Sequence, residues 1–199
     1  MTEYYFTVEP SSKMRLRSLK LTVQGVELRF QTATGVFSYR RLDTGTRVLI
    51  GLMRIPAKGR ILDLGCGWGS LGVFIAATHP ETHVVMTDVN KRAVWLASEN
   101  VKLNKVDAEV RWGNLYEPVK GMEFNCILTN PPIAAGRNLI VDMIRGASDH
   151  LCQEGTLQLV VRTSKGARTI SKIMEEKFGN VDELGKKSGY RVYSSCKQS

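Results

Sequence analysis

Between Leu19 and Phe30 apolar and polar positions alternate, as Leu19-Lys20-Leu21-Thr22-Val23 and Val26-Glu27-Leu28-Arg29-Phe30 on either side of Gln24-Gly25. Period-two patterning interrupted by a turn dipeptide predicts a β-hairpin. Asp43-Thr44-Gly45-Thr46 and the apolar stretch 48–53 that follows predict a short helix ending at Pro56. From Arg60 the pattern changes to alternating strands and helices. Strands are expected at 61–64, 83–88, 108–112, 124–129 and 156–161, and helices at 70–78, 91–103, 139–151 and 167–178. Two last strands, 181–184 and 191–194, flank a turn over Gly185 to Gly189.

Repeated β-α-β units require crossover connections, which make neighbouring strands parallel and place helices on both faces of the sheet. The last two strands are too close in sequence for a helix between them and pair antiparallel. The expected architecture is α/β: a Rossmann-like, mostly parallel seven-stranded sheet with an antiparallel C-terminal hairpin, preceded by a small N-terminal β-hairpin extension. No repeat or linker divides the 199 residues, so one domain is expected, with residues 1–58 as hairpin-and-helix extension and 59–199 as core.

Composition narrows the function classes. A hydrophobic fraction of 43% with 24% charged residues is that of a soluble globular chain. No run of about 18 apolar residues exists, which excludes a membrane-spanning helix. The segment from Met1 to Pro10 lacks the basic and apolar regions of a secretory signal, so the expected compartment is the cytoplasm. Cys66, Cys126, Cys152 and Cys196 form no CxxC pair, and His79, His83 and His150 show no ligand spacing, so no metal site is expected. The net charge of +9 is unevenly spread: residues 1–60 carry +7, residues 61–161 carry −3 and residues 162–199 carry +5. A basic excess at both ends suits a polyanion laid across them.

The acidic centre holds the chemistry. Asp63-Leu64-Gly65-Cys66-Gly67-Trp68-Gly69 follows a strand and opens a helix. Glycines let the chain turn tightly and approach a ligand closely, at the carboxyl edge where open α/β sheets bind cofactors. A dinucleotide site would place phosphate there. Asp63 repels phosphate and favours an ammonium group, so a positively charged, amino-acid-bearing cofactor is expected. Asp88 ends the second core strand, where an acidic residue can hydrogen-bond both hydroxyls of a ribose. Asn130-Pro131-Pro132-Ile133 follows the fourth core strand at the same edge. Prolines stiffen the chain around Asn130, whose carbonyl oxygen, with a neighbouring backbone carbonyl, can hold the two hydrogens of an exocyclic amine.

On these motifs the chain resembles the class I S-adenosylmethionine-dependent methyltransferases that act on planar amines. It is more nearly similar to the small methyltransferase domain of the C-type ribosomal RNA guanine-N2 methyltransferases and their free-standing archaeal relatives. Gly35-Val36-Phe37-Ser38 and Leu42-Asp43-Thr44-Gly45-Thr46 look like the segment before the cradle in that family, and the resemblance runs from about Tyr4 to Tyr193. It implies that Asp63, Gly65, Cys66, Gly67 and Gly69 line the methionine end of S-adenosylmethionine, which leaves as S-adenosylhomocysteine. Asp88 would take the ribose, and Val89, Asn114 and Leu115 would lie by the adenine. Thr46 and Asn130 are counted with this set. Asn130, Pro131 and Pro132 would hold the target amine, and Ile133, where many relatives carry an aromatic residue, would flank the target ring.

The implied reaction is methylation of the exocyclic N2 of guanine in ribosomal or transfer RNA, with Arg15, Arg17, Lys20, Arg40, Arg41, Lys165 and Arg168 contacting phosphates. Three alternatives stay open. A release-factor-type glutamine N5-methyltransferase usually carries Asn-Pro-Pro-Tyr instead. A small-molecule amine is a second possible acceptor. A cofactor-binding scaffold without activity is disfavoured by the intact Asp63, Asp88 and Asn130.

Overall fold

In a computed structural model, which describes residues 7–198, the strands at the centre of the sheet are buried on both faces. These are β3 (Gly59–Leu64), β4 (Thr82–Asp88) and β6 (Phe124–Thr129). Ile61, Leu62, Val84, Val85, Cys126 and Ile127 are all fully buried, so the central strands read as near-continuous apolar runs. With β5 (Ala108–Trp112), β7 (Leu151–Arg162), β8 (Asp182–Lys187) and β9 (Tyr190–Cys196) they form a seven-stranded sheet. Its order is β5-β4-β3-β6-β7-β9-β8, parallel from β5 to β7 and antiparallel at β7–β9 and β9–β8.

Alternate residues of each strand enter two cores. Ile61, Val84, Met86 and Leu128 face α1 (Thr44–Leu52), α2 (Ser70–Thr78) and α3 (Lys91–Asn104). Leu62, Val85, Ile127 and Leu159 face α4 (Arg137–His150) and α5 (Ala167–Phe178). The expected Rossmann-like sheet, with helices on both faces and an antiparallel C-terminal pair, is present.

Among the boundaries that differ from the sequence expectation, two have a visible cause. The final turn is two residues long, because Gly185 lies inside β8 at a register shift against β9, not in the turn. β7 starts at Leu151, directly after α4; exposed Gln153 and Glu154 hide its first half from an apolar-pattern reading. Tyr4, where the family resemblance begins, and the opening part of the segment Met1–Pro10 lie outside the described residues.

The hairpin of β1 (Leu16–Val23) and β2 (Val26–Ala33) docks on α3 by an unusual edge cover. Asn100 and Asn104, four residues apart, share one face of the helix. The Asn100 amide accepts from Gln31 N at 2.6 Å and donates to Gln31 O at 2.8 Å; the Asn104 amide accepts from Arg29 N at 3.0 Å and donates to Arg29 O at 2.6 Å. Asn100 Nδ2 also donates to Trp68 O at 2.7 Å, joining hairpin, helix and glycine-rich turn through one fully buried side chain. Asn100→Ala orphans three backbone groups and is expected to lower stability by about 2–4 kcal/mol. Chemical denaturation reads this directly; a loss under about 0.5 kcal/mol, the range of ordinary surface changes, would contradict the role.

Candidate active site

The carboxyl ends of β3, β4, β5 and β6 converge on one cavity of about 260 Å³. Its floor is the turn after β3. Gly65 N and Cys66 N both donate to Thr87 O at 2.9 Å, which ties that turn to β4. Gly67, at φ +57°, turns its N–H to Asp88 Oδ2 at 2.8 Å, and a Cβ there would project into open space. Asp88 Oδ1 accepts from Asn90 N at 2.8 Å. Asp63, 2% exposed, receives Gly72 N of α2 on Oδ2 at 2.9 Å.

A buried carboxylate, Asp63, and a half-buried one, Asp88, thus both line the cavity, and among the described residues neither has a basic partner. Burial pushes the Asp63 carboxyl up to about 7, against the lowering by the Gly72 N–H, and the Asp88 charge adds to the rise. Burial likewise raises Asp88, whose backbone hydrogen bonds pull the other way. The Cys66 thiol on the same floor is held far above its ordinary range, chiefly by burial and then by the two aspartates, which keeps it in the neutral form. An occupant carrying a cation and hydroxyl donors would satisfy these acids. Val89, Asn114 and Leu115 continue the wall on the β4–β5 side.

Asn130, just after β6, lines the same cavity. Its Nδ2 donates to Asp43 Oδ2 at 2.8 Å and to Thr46 Oγ1 at 3.0 Å. A carboxylate can only accept, so the amide nitrogen must be the atom beside Asp43, and both of its hydrogens are committed. Among the described residues Asn130 Oδ1 accepts no hydrogen bond. Asp43 Oδ2 also accepts from Thr46 N at 3.1 Å, capping α1. Thr129 Oγ1 donates to Leu64 O at 2.8 Å, so the Asn130 loop and the glycine-rich turn are joined where they leave β6 and β3.

Of the residues singled out from sequence, Asp63, Gly65, Cys66, Gly67, Asp88, Val89, Asn114, Leu115, Thr46, Asn130 and Pro132 line this cavity. Thr46 stands with Asn130, whose amide donates to its hydroxyl. Three others do not line it. Gly69 serves helix packing: a Cβ there would meet Ala97 Cβ of α3 at 3.0 Å. Pro131 is buried against Ile140, Met143 and Leu159, so its ring faces the α4-side core. Ile133, partly buried, also packs on that core.

Sequence reasoning gave no site role to Asp43, Phe37 or Trp68. Trp68 Nε1 donates to Phe37 O at 3.1 Å, and its ring meets Phe30 edge-to-face at 5.0 Å, which brings Phe37 onto the cavity wall. A tryptophan inside a glycine-rich turn, where small residues are otherwise needed, was the available signal. Arg15, Arg17, Lys20, Arg40, Arg41, Lys165 and Arg168 are all exposed, and Arg40 and Arg41 lie just after Ser38 of the cavity wall.

Known proteins share this fold. The family model of the methyltransferase small domain matches residues 27–194. The chain is 33% identical to the uncharacterized protein YbxB of Bacillus subtilis, over 99% of this chain and 100% of YbxB. It is 31% identical to the ribosomal RNA small subunit methyltransferase C of Erwinia tasmaniensis, over 86% of this chain and 50% of that protein. Among solved structures, a T. thermophilus 16S rRNA methyltransferase in complex with AdoMet and guanosine superposes with a TM-score of 0.84 at 24% identity, over 95% of this chain and 52% of that one. The chain therefore spans all of YbxB but only about half the length of these ribosomal RNA enzymes. With the family model covering most of its length and an acid-lined cradle facing a fixed asparagine, the chain belongs to the methyltransferase small-domain family and is an S-adenosylmethionine-dependent methyltransferase.

Proposed function

We propose that the enzyme methylates the exocyclic N2 of guanine in RNA, ribosomal RNA being the favoured carrier because the relatives that match half their own length here are ribosomal RNA methyltransferases. The observation that carries this reading is the Asn130 amide, whose two N–H groups are taken by Asp43 and Thr46 so that its carbonyl is kept for a ligand. An acceptor oxygen fixed in this way suits an amine on a planar ring. With a neighbouring backbone carbonyl it holds both amine hydrogens and turns the nitrogen lone pair toward the cradle. The same dipoles favour the positive charge that grows on nitrogen.

S-adenosylmethionine, when bound, supplies a methyl group on a sulfonium. Asp63 would hold its ammonium and Asp88 its ribose hydroxyls, while Gly65, Cys66 and Gly67 lie along the methionine end. Val89, Asn114 and Leu115 would enclose the adenine. Exposed Arg40 and Arg41, beside the cavity wall, are placed for phosphates flanking a base that has left its stack, with the other basic residues extending the contact.

The test is transfer of labelled methyl from S-adenosylmethionine to total RNA and, separately, to total protein of source cells lacking the enzyme. Label in RNA, recovered as N2-methylguanosine after digestion, is the expected result. Label confined to protein would overturn it in favour of an amide side chain as acceptor.

A further inference from the structure

The wall around Asn130 carries a second acceptor. Asp43 forms two hydrogen bonds, from Thr46 N and Asn130 Nδ2, and both end on Oδ2. Among the described residues Oδ1 accepts none, and no lysine or arginine pairs with this carboxylate. Asp43 is half-buried and lines the cavity together with Asn130 and Thr46. The approach of the two side chains depends on Gly45: a Cβ there would stand 2.9 Å from Asp43 Oδ2 and 3.3 Å from Asn130 Nδ2. Two cavity-lining side chains locked to each other therefore each keep one oxygen, an amide's and a carboxylate's, without a hydrogen bond among the described residues.

Resting on the RNA reading above, we infer that Asp43 selects guanine by accepting its ring N1–H while Asn130 accepts the adjacent N2 amine, and that Asp43 orients Asn130 in doing so. Three bases bear an exocyclic amine. In guanine a ring N–H lies next to it; in adenine and cytosine the neighbouring ring nitrogen carries a lone pair. A carboxylate beside the amine acceptor gains a charge-assisted hydrogen bond from guanine. The same oxygen faces a lone pair in adenine or cytosine, an uncompensated repulsion that rejects both. Specificity then needs no aromatic side chain at Ile133, which lies off the cavity.

The test uses the RNA segment that carries the labelled site, once as guanosine and once with 2-aminopurine in its place, which keeps the amine but lacks the N1–H. Wild-type enzyme is expected to favour guanosine by at least about a hundredfold in kcat/KM, since a site built for a hydrogen bond rejects the analogue without it. Asp43→Asn keeps a good helix cap and an acceptor for Asn130. Its amide can also offer an N–H to the N1 lone pair, so the preference should shrink to within about tenfold. Lower activity with an unchanged preference would overturn the inference and leave Asp43 a positioning residue only. Equal rates on the two substrates with wild-type enzyme would overturn it without any variant, whether or not Asp43→Asn folds. Failure of the underlying reading is seen separately, as absence of N2-methylguanosine from the labelled RNA.

Discussion

Replacing Asn130 with alanine is expected to lower the methyl-transfer rate by about 10²–10³-fold, the usual cost of removing one fixed dipole from a developing charge. Affinity for the cofactor should change by less than about threefold, because the Asn130 side chain is bonded to Asp43 and Thr46 and not to Asp63 or Asp88. The fold should survive. Asp43 Oδ2 keeps its bond from Thr46 N, so α1 remains capped, and the side chain removed is only partly buried. Single-turnover transfer, measured beside equilibrium binding of S-adenosylhomocysteine, separates the two effects. A variant that binds cofactor normally and still transfers methyl at near the wild-type rate would remove Asn130 from the chemistry.

The second large effect concerns Asp63. In the free enzyme burial holds its carboxyl at about 7, so near neutral pH a substantial fraction is protonated and uncharged. An ammonium group placed beside it favours the charged form, and binding therefore lowers that value and releases a proton. The sign follows. Above about pH 7 the carboxylate is ready and affinity is flat; as pH falls through 7 the proton must first be displaced, and affinity drops by up to about tenfold per unit. Asp63→Asn, of nearly the same shape, should weaken S-adenosylmethionine binding by roughly thirtyfold or more, the cost of leaving a desolvated charge unpaired. It should also abolish the acid-side pH dependence. Titration calorimetry from about pH 5.5 to about 7.5, below the range of the cofactor's own amine at about 7.7–8.0, reads both. A wild-type affinity independent of pH there would mean that Asp63 does not meet the ammonium.

Both aspartates of the cradle could be found from sequence because their surroundings are local. Asp63 and Asp88 stand at or next to the end of a short apolar strand, and backbone N–H groups of Gly72 and Asn90, nine and two residues away, donate to them; only the Gly67 N–H on Asp88 comes from further off, 21 residues away. The glycines of the first turn and the apolar–polar periods of the helices are local in the same sense. Hence the order of strands and helices, the parallel centre, the antiparallel end and the carboxyl-edge site were all readable along the chain. Gly69 and Ile133 mark where a local reading leaves two uses open. The spacing that made Gly69 look like a cofactor residue serves equally to let α2 approach Ala97, and only packing distinguishes the two uses. Ile133, one position past the prolines, turns onto the α4-side core because an apolar side chain gains more there than at the rim of a polar cavity.

What the chain alone determined, then, is the sequence of elements, the cofactor cradle and the asparagine after β6. The tertiary structure decided how that asparagine is held. Asp43 reaches Asn130 across 87 residues of sequence, Asn100 reaches the β2 edge across 69, and Trp68 draws Phe37 onto the cavity across 31. Each of these contacts satisfies a polar group that would otherwise lose its hydrogen bonds on burial, and the partner is chosen by proximity in the fold. Periodicity records which face of an element is buried; it carries no record of which distant donor or acceptor that face will meet.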